Sequence, residues 1–499
     1  MNWMGIDVGT SGLKALVVDE QGRVVASALV EYGMETPRPG WAEQDPEQWW
    51  QALKKAAAGL RRKVPGLKES LQGIGLTGQM HSSVFLDKNF EVLRPAILWC
   101  DQRPAKECEE ITRKIGFERL VKLTLNRALT GFTLPKLLWL KNHEPGNYQK
   151  LRRLLVCKDY IRFRLTGDFV TEVSDASGTL MFDVKNRKWS ERLLSELKID
   201  PKILPYCQES PELSGELTVS AAKELGLKPG TFVVGGGGDQ AAGAVGNGIV
   251  EPGAVLISIG TSGVVFAAHQ KPLIDKQARL HSFCHAVPGL WHSMGVMLSA
   301  GGSLRWLREV LREAKPGIDY PEMTALAEQV PAGCEGLYFL PYLTGERTPH
   351  FDPYARGVFF GLSLKHSLGH LTRAVMEGVS FGLKDSVEIM KKSGFRIKEF
   401  YLSGGGAKSG FWSQMLSDLL NAKIYRLEID EGPAFGAALL AMVGTGRFKD
   451  VKSSAQKTLK LKDSFEPKSE ASRRYQELYQ NWEGLYPACS GKFKELADR

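Results

Sequence analysis

Residues 235–263 have the sequence GGGGDQAAGAVGNGIVEPGAVLISIGTSG, and the order of apolar and small residues around them predicts the fold. A short apolar strand over 232–234 precedes four glycines and Asp239, and a helix of small residues begins at Gln240. Glycines before a carboxylate allow a ligand to approach the backbone, and open α/β sheets bind ligands where strands end and helices begin. We interpret Asp239 as a candidate catalytic residue. The alternative is that it only caps the helix.

The Gly-Thr-Ser-Gly turn that ends this stretch also occurs near the start of the chain. IDVGTSGLKALVVD (6–19) and ISIGTSGVVFAAHQ (257–270) both have the pattern strand, turn, strand. Repetition at matching positions predicts two structurally related halves. A turn of this kind presents backbone N–H groups and hydroxyls to an anion, which suits phosphate oxygens. The candidate phosphate-binding residues of the two turns are Thr10, Ser11, Gly260 and Thr261.

The two copies differ at the position two residues before the turn. The first copy has Asp7 there, whereas the second has Ser258. A carboxylate at that point can hold Mg²⁺ directly or through water. We therefore expect only the first half to contribute a metal-linked carboxylate, Asp7.

The composition limits the class of protein. A chain of 499 residues is too long for one compact core, which predicts two or three domains. Its 43% hydrophobic and 24% charged residues are typical of a soluble globular protein. The net charge of +9 is spread thinly without a cluster of basic and aromatic residues, so we expect no nucleic-acid partner. No apolar run has the length of a membrane span, so we expect no membrane partner.

The cysteines and the first residues predict the compartment. Seven widely spaced cysteines without a C-x-x-C motif argue against a zinc cluster or a disulfide framework and suit a reducing compartment. Asp7 interrupts the first apolar stretch and no basic region precedes it, so we expect no secretory signal. We expect a cytoplasmic protein.

Two polar clusters follow predicted strands in the first half. A strand over 71–77 ends in Gly78-Gln79-Met80-His81, and His81 lies at this strand break rather than on an apolar face, which favours a ligand contact. An apolar run over 93–100 ends at Asp101, which either contacts a ligand or caps the polar helix that follows. Both clusters are candidates for substrate binding.

The second half repeats the combination of strand, small residues and helix. A strand over 397–402 precedes SGGGA (403–407) and an amphipathic helix, a shape that is compatible with a nucleotide. A helix over 432–442 consists of small residues that allow close packing. From about residue 447 the chain is polar and basic, and we expect a surface appendage with a terminal helix near 468–486.

Two longer stretches carry a resemblance to a known family. GFTLPKLLWLKNH (131–143) and GVFFGLSLKHSLGHLTRAVME (357–377) fit two signatures of the FGGY carbohydrate kinases, and the chain resembles this family over nearly its whole length. The resemblance implies an α/β fold of two ribonuclease H-like domains, of the actin, hexokinase and chaperone ATPase type, flanking a catalytic cleft. It implies a sugar-binding domain over 1–246 and an ATP-binding domain over 247–499, with the basic helical tail from about 447.

The resemblance also implies roles for individual residues. Asp239 matches the catalytic base that accepts a proton from a sugar hydroxyl, and Asp7 matches the carboxylate linked to the Mg²⁺ that accompanies ATP. The implied sugar contacts are Met80, His81, Asp101, Asp239 and Gln240. The implied ATP and phosphate contacts are Thr10, Ser11, Lys14, Gly260, Thr261, Gly404, Gly405 and Gly406.

Stretches such as GLTGQMH (75–81) and LPYLTGERTPH (340–350) resemble the branch of the family that phosphorylates ketopentoses, with D-xylulose as the expected acceptor. That branch usually has Asn at the positions of Gln240 and Cys100, and Gly at that of Ser82. These departures leave open another ketose or a polyol, such as ribulose or glycerol. A non-kinase ATPase of the same superfamily is the alternative outside the kinases. The expected partners are a small sugar and ATP, and a homodimer stays open.

Overall fold

Two mixed β-sheets form the frame of the computed structural model, which describes residues 1–428 and 431–497. The strands of the N-terminal sheet are, in spatial order, Leu213–Glu216, Phe232–Val234, Leu71–Gly78, Asn2–Val8, Gly12–Asp19 and Val24–Glu31, and Gly237–Gly238 also pairs with Leu71–Gly78. The strands of the C-terminal sheet are His281–Cys284, Trp291–Met297, Gly263–His269, Ala254–Ile259, Glu399–Ser403, Ile424–Leu427 and Leu461–Phe465.

The two sheets share one plan. In each, the strand before the Gly-Thr-Ser-Gly turn pairs antiparallel with the strand after it, and a third antiparallel strand follows. On its other side, the first strand pairs in parallel with a later strand, namely Leu71–Gly78 in one sheet and Glu399–Ser403 in the other. Another parallel strand and then an antiparallel strand follow in both sheets, and the C-terminal sheet has one further antiparallel strand, His281–Cys284, at its other edge. The predicted pair of related halves and the α/β fold class are confirmed.

Alternation along the first strand explains why each sheet is covered on both faces. Met4 and Ile6 belong to the apolar cluster that includes the helix Pro46–Lys63, whereas Trp3 belongs to the cluster on the opposite face. The C-terminal sheet behaves in the same way, because Val255 and Leu256 belong to different clusters. Strands buried on both faces are expected where helices cover a mainly parallel sheet.

The helices lie on the sheets and between them. Those of the N-terminal half are Pro46–Lys63, Leu67–Ser70, Ala105–Ile115, Phe117–Thr124, Thr133–His143, Pro145–Lys150, Cys157–Thr166, Val173–Ser177, Glu191–Leu197, Val219–Leu225 and Asp239–Gly246. Those of the C-terminal half are Gly301–Arg312, Tyr320–Glu328, Leu368–Lys392, Gly410–Leu420, Gly432–Gly444, Val451–Thr458, Ser469–Glu483 and Leu485–Ala497. In the described part of the chain, none of them has the length and apolar character needed to cross a membrane.

One helix of the C-terminal half, Gly432–Gly444, packs on the N-terminal sheet. A β-carbon at Gly5 would lie 1.9 Å from the carbonyl oxygen of Ala434, and one at Gly75 would lie 1.9 Å from that of Ala437. A β-carbon at Gly436 would lie 1.8 Å from the carbonyl oxygen of Ala242. Glycine is therefore required at these contacts, and the predicted close packing of this helix is confirmed.

The expectation of a surface appendage after residue 447 is wrong. Leu461–Phe465 forms the last strand of the C-terminal sheet. In the helix Ser469–Glu483, Tyr475 and Trp482 are buried in the main apolar core. The periodic apolar residues of that helix were hidden in the sequence by the charged and polar residues of its exposed face, because composition averages over both faces.

Candidate active site

A cavity of about 710 Å³ lies between the two halves and contains most of the predicted sugar contacts. From the N-terminal half it is lined by Met80, His81, Asp239 and Gln240, among others. From the C-terminal half it is lined by residues that include Ser262, His281, Glu346 and Arg347. The structure thus brings four of the five predicted sugar-contact residues to one cavity.

Asp101, the fifth predicted sugar contact, does not line this cavity. Its side chain is fully buried, and its carboxylate accepts hydrogen bonds from the backbone N–H of Ala42 at 2.6 Å and from the guanidinium of Arg103 at 2.8 Å. In this conformation Asp101 holds together two loops, one of which carries the cavity residue Gln102. A direct contact of Asp101 with a sugar stays a prediction.

The glycine run places Asp239 at the mouth of the cavity. Gly236 has a φ of 72°, and a β-carbon there would lie 1.9 Å from the carbonyl oxygen of Leu76. A β-carbon at Gly238 would lie 2.9 Å from the sulfur of Met80. The N-cap of the helix that begins at Asp239 is Gly238, without a side-chain capping bond, and a catalytic role of Asp239 stays a prediction.

Asp7 and Asp239 form a pair of buried carboxyl groups. Burial, followed by the charge of Asp239, raises the pKa of Asp7 to about 7. Burial raises the pKa of Asp239 to about 6, against hydrogen bonds from Gln240. The Oδ1 atom of Asp7 is buried without a hydrogen-bond partner in the structure. An unsatisfied carboxylate oxygen beside a second carboxylate is an environment that fits a bound cation.

The ring of His81 is held in one orientation. His81 has a φ of 68°, and its Nδ1 lies 2.7 Å from the carbonyl oxygen of Gly178, which has room for the ring only because it has no side chain. Burial, and then neighbouring positive charges, hold the pKa of His81 well below its ordinary value. The ring is therefore neutral, and because a carbonyl only accepts, Nδ1 carries the proton and Nε2 is an acceptor.

A second cavity, of about 850 Å³, belongs to the C-terminal half. It is lined by Gly260 and Thr261 of the second turn, by Gly405 and Gly406, and by side chains that include Arg305, Tyr320 and Trp412. Gly404 lies behind it with a φ of 84°, and a β-carbon there would lie 2.7 Å from the carbonyl oxygen of Ile259. The predicted glycine turn thus packs directly against the strand that carries the second Gly-Thr-Ser-Gly turn.

The first turn lies beside Asp7 but outside the linings of both cavities. Thr10 accepts a hydrogen bond from Trp99 at 2.9 Å and donates one to Gln79 at 3.2 Å, and Ser11 is exposed. The Nζ of Lys14 lies 2.5 Å from a carboxylate oxygen of Glu431, at the start of the helix that crosses between the halves. Phosphate contacts by Thr10, Ser11 and Lys14 stay predictions.

A cluster of buried charges behind Asp239 was not predicted from the sequence. Its members, Lys158, Asp159, Arg162, Glu172 and Asp175, are almost completely buried. Lys158 lies 2.6 Å from Asp159 and 3.4 Å from both Glu172 and Asp175. Burial, together with the charges of Asp159, Glu172 and Asp239, raises the pKa of Asp175 well above its ordinary value despite Lys158. Two cations face three carboxyl groups, so a proton on Asp175 balances the charge.

This cluster supports the glycine run before Asp239. The hydroxyl of Ser174 accepts a hydrogen bond from the N–H of Gly238 at 3.0 Å and donates one to Glu172 at 2.9 Å. Glu172 also accepts from Ser210 at 2.7 Å, and Arg162 donates to the carbonyl oxygen of Gly235. The network depends on residues far apart in the chain, so no local pattern in the sequence indicates it.

Comparison with known proteins agrees with this arrangement. Residues 2–246 match the model of the N-terminal domain of the FGGY family of carbohydrate kinases, and residues 255–445 match that of the C-terminal domain. The xylulose kinase of Lactococcus lactis is 41% identical over 99% of this chain and 98% of its own length. The xylulose kinase of Escherichia coli is 41% identical over 97% of this chain and 98% of its own length.

A solved structure has the same fold throughout. The crystal structure of xylulose kinase from Rhodospirillum rubrum superimposes with a TM-score of 0.92 at 31% identity and covers 99% of this chain and 100% of its own. The similarity therefore includes both sheets.

Proposed function

The chain belongs to the FGGY family of carbohydrate kinases, and from this premise we propose that it transfers the γ-phosphoryl group of ATP to a primary hydroxyl of D-xylulose, forming D-xylulose 5-phosphate. The xylulose kinases of Lactococcus lactis and Escherichia coli, each 41% identical to this chain, support the choice of D-xylulose as the acceptor. The sugar would bind beside Met80, His81 and Gln240, and the nucleotide would bind against the glycine turn at 404–406.

One observation carries this proposal. The second Gly-Thr-Ser-Gly turn borders both cavities, because Gly260 and Thr261 line the larger one while Ser262 lines the one that contains Asp239. A triphosphate that extends from the larger cavity along this turn would have its end facing Asp239. Such an arrangement fits in-line transfer between two ligands that are held by different halves of the chain.

Asp239 is the proposed general base. A sugar hydroxyl is a weak nucleophile, and a carboxylate that accepts its proton during transfer accelerates the reaction by about 10²–10⁴-fold. With a pKa raised by burial to about 6, Asp239 is mainly ionised at neutral pH yet more basic than an exposed aspartate. Closure of the two halves around the ligands would exclude water, which competes with the sugar for the phosphoryl group.

Asp7 is the proposed link to Mg²⁺. Its unpartnered buried oxygen and the adjacent Asp239 fit a cation. No cluster of three or more His, Cys, Asp or Glu suitable for a metal occurs among the described residues, so oxygens of ATP and water would complete the coordination. When bound, the ion neutralises charge on the phosphates.

The test is release of ADP from Mg-ATP with D-xylulose, D-ribulose, L-ribulose, L-xylulose, glycerol and gluconate offered separately. We expect a strong preference for D-xylulose. A strong preference for another acceptor would contradict the substrate assignment and would indicate that Gln240 and Ser82 alter the substrate specificity. ATP hydrolysis that no acceptor changes would contradict the kinase proposal and favour an ATPase of the same superfamily.

A further inference from the structure

Arg347 presents to the sugar cavity a positive charge that has no role in the proposed phosphoryl transfer. It lies in the loop that follows the strand Tyr338–Leu340 and lines the same cavity as Asp239 and Gln240. The backbone of this loop is fixed, since the N–H of Thr348 donates to Val296 at 3.0 Å and its hydroxyl donates to the carbonyl oxygen of Arg279 at 2.9 Å. The position of Arg347 is therefore set by the C-terminal half.

The guanidinium of Arg347 has no hydrogen-bond or ion-pair partner within residues 1–428 and 431–497, although its side chain is half-buried. Other buried arginines are paired with carboxylates, as Arg103 is with Asp101 and Arg373 is with Glu377. Withdrawing a charged donor from water without supplying an acceptor is costly. A ligand that brings acceptor oxygens into the cavity would satisfy this group.

The guanidinium lies close to the two histidines of the cavity. Its charge contributes to the lowered pKa of His81 and, after burial, is the cause of the lowered pKa of His281. Arg347 can only donate hydrogen bonds, whereas the Nε2 of neutral His81 can only accept them. The lining of one cavity therefore offers both a donor and an acceptor, and these match a ligand that has both a carbonyl and a hydroxyl.

The chemistry of a 2-ketopentose supplies this pair. Its five-membered ring closes through O5, so a molecule whose O5 is free to take a phosphoryl group must have the open chain. In the open chain C2 is a free carbonyl, flanked by hydroxyls on C1 and C3. A pentitol of the same length has a hydroxyl at C2 instead.

We propose that Arg347 donates hydrogen bonds to the C2 carbonyl of the open-chain ketopentose while Nε2 of His81 accepts from a neighbouring hydroxyl. This assignment rests on the proposed function. It makes Arg347 the residue by which the C-terminal half contacts the sugar and by which the site prefers a ketose to a polyol.

The test compares D-xylulose with xylitol and D-arabinitol, which differ from it only by reduction at C2. All three are measured as acceptors, and the pentitols also as competitive inhibitors, with wild type and Arg347→Met. Losing a charged hydrogen bond predicts that kcat/KM for D-xylulose falls by about 10- to 100-fold. The kcat/KM values and inhibition constants of the pentitols should change little, so the ratio of kcat/KM for D-xylulose to that for the pentitols should fall. Arg347→Lys keeps a hydrogen-bond donor and should recover part of this ratio.

The matched control is Arg356→Met, since Arg356 is exposed and bonds only to carbonyl oxygens of its own loop. It should leave the preference unchanged. A uniform loss for ketose and pentitols in both Arg347 variants would overturn the assignment and give Arg347 a structural or phosphate-binding role. A wild type that does not phosphorylate D-xylulose would instead overturn the proposed function, and with it this inference. If Arg347→Met fails to fold, Arg347→Lys alone tests the assignment, through the ratio of kcat/KM for D-xylulose to that for the pentitols.

Discussion

The two sheets have the same strand order but end in different chemistry. In the N-terminal sheet, the parallel strand Leu71–Gly78 leads into Met80 and His81, which line the smaller cavity. In the C-terminal sheet, the matching strand Glu399–Ser403 leads into a glycine turn beside the larger cavity. The N-terminal half therefore presents side chains to a small polar ligand, whereas the C-terminal half presents glycine backbone to a large planar ligand.

The first strands show the same contrast. Asp7 and Ser258 stand at equivalent positions before equivalent turns, yet only the first is a buried carboxyl with a raised pKa. The layers behind the sites also differ. The glycine run before Asp239 donates to Ser174, which in turn donates to the buried Glu172, and it accepts from the buried Arg162, whereas Gly406 packs on the apolar side chain of Ile259. A repeated scaffold thus fixes where ligands lie, and a few side chains decide which half carries the reaction.

The largest effect is expected from the carboxylate that only the N-terminal half provides. Asp239→Asn keeps the size and polarity of the side chain but cannot accept a proton, so kcat should fall by about 10²–10⁴-fold. Steady-state kinetics and calorimetric titration with ATP would measure this, and ATP affinity should hardly change. Near-native turnover by the variant would show that Asp239 is not the base.

Making the first turn resemble the second should have the next largest effect. Asp7→Ser removes the proposed link to Mg²⁺, and activity at limiting Mg²⁺ should fall by about 10- to 100-fold. Adding Ser258→Asp should not restore it, because the proposed cation site combines Asp239 with the position of Asp7. A titration of rate against Mg²⁺ measures both variants. Rescue by the double variant would mean that the halves are interchangeable at this position.

The glycine turn should matter to the nucleotide alone. Gly404→Ala forces a side chain into a backbone region open mainly to glycine, at a cost of about 1–3 kcal/mol, and against the carbonyl oxygen of Ile259. We expect KM for ATP to rise by about 10-fold while KM for the sugar stays constant. Gly317→Ala is the matched control, since a β-carbon there meets nothing within 4 Å. An equal rise in both KM values would contradict separate binding by the two halves.

The smallest effect should come from the charged layer behind Asp239. Because burial raises the pKa of Asp175, its bound proton contributes stability at low pH that is lost as the pH rises. Asp175→Asn mimics the protonated form, so its melting temperature should exceed that of the wild type only slightly at about pH 5 and by a few °C more at about pH 9. Thermal unfolding of both proteins at both pH values tests this prediction. A variant that is less stable at the higher pH would show that Asp175 is ionised in the fold.

Local features of this fold could be predicted from the sequence. The repeated Gly-Thr-Ser-Gly turns predicted the two sheets, and the strand before the glycine run predicted the position of Asp239 at the start of a helix, because each signal lies within a few neighbouring residues. Long-range features could not. The charge cluster around Lys158 joins a helix, a strand end and the loop at Ser210, and no local pattern shows which charges will meet.

The candidate site shows the same limit. Met80, His81 and Gln240 lie next to strand ends, where sequence reasoning looks for ligands. Arg347 lies in an irregular loop, and only the folded structure shows that it lines the cavity and that its guanidinium has no hydrogen-bond or ion-pair partner among residues 1–428 and 431–497. Asp101 also follows an apolar run, but in the structure its carboxylate joins two loops through Ala42 and Arg103, a pairing that the sequence does not indicate.

The helix Gly432–Gly444 has a consequence for how the protein is made. It covers one face of the N-terminal sheet through contacts at Gly5 and Gly75, so that face has no cover until the ribosome has translated nearly nine-tenths of the chain. A nascent N-terminal half would expose Trp3, Leu16 and Val18 to solvent during most of synthesis. The two halves of the gene therefore cannot be separated into independently expressed proteins without leaving this apolar face open to aggregation.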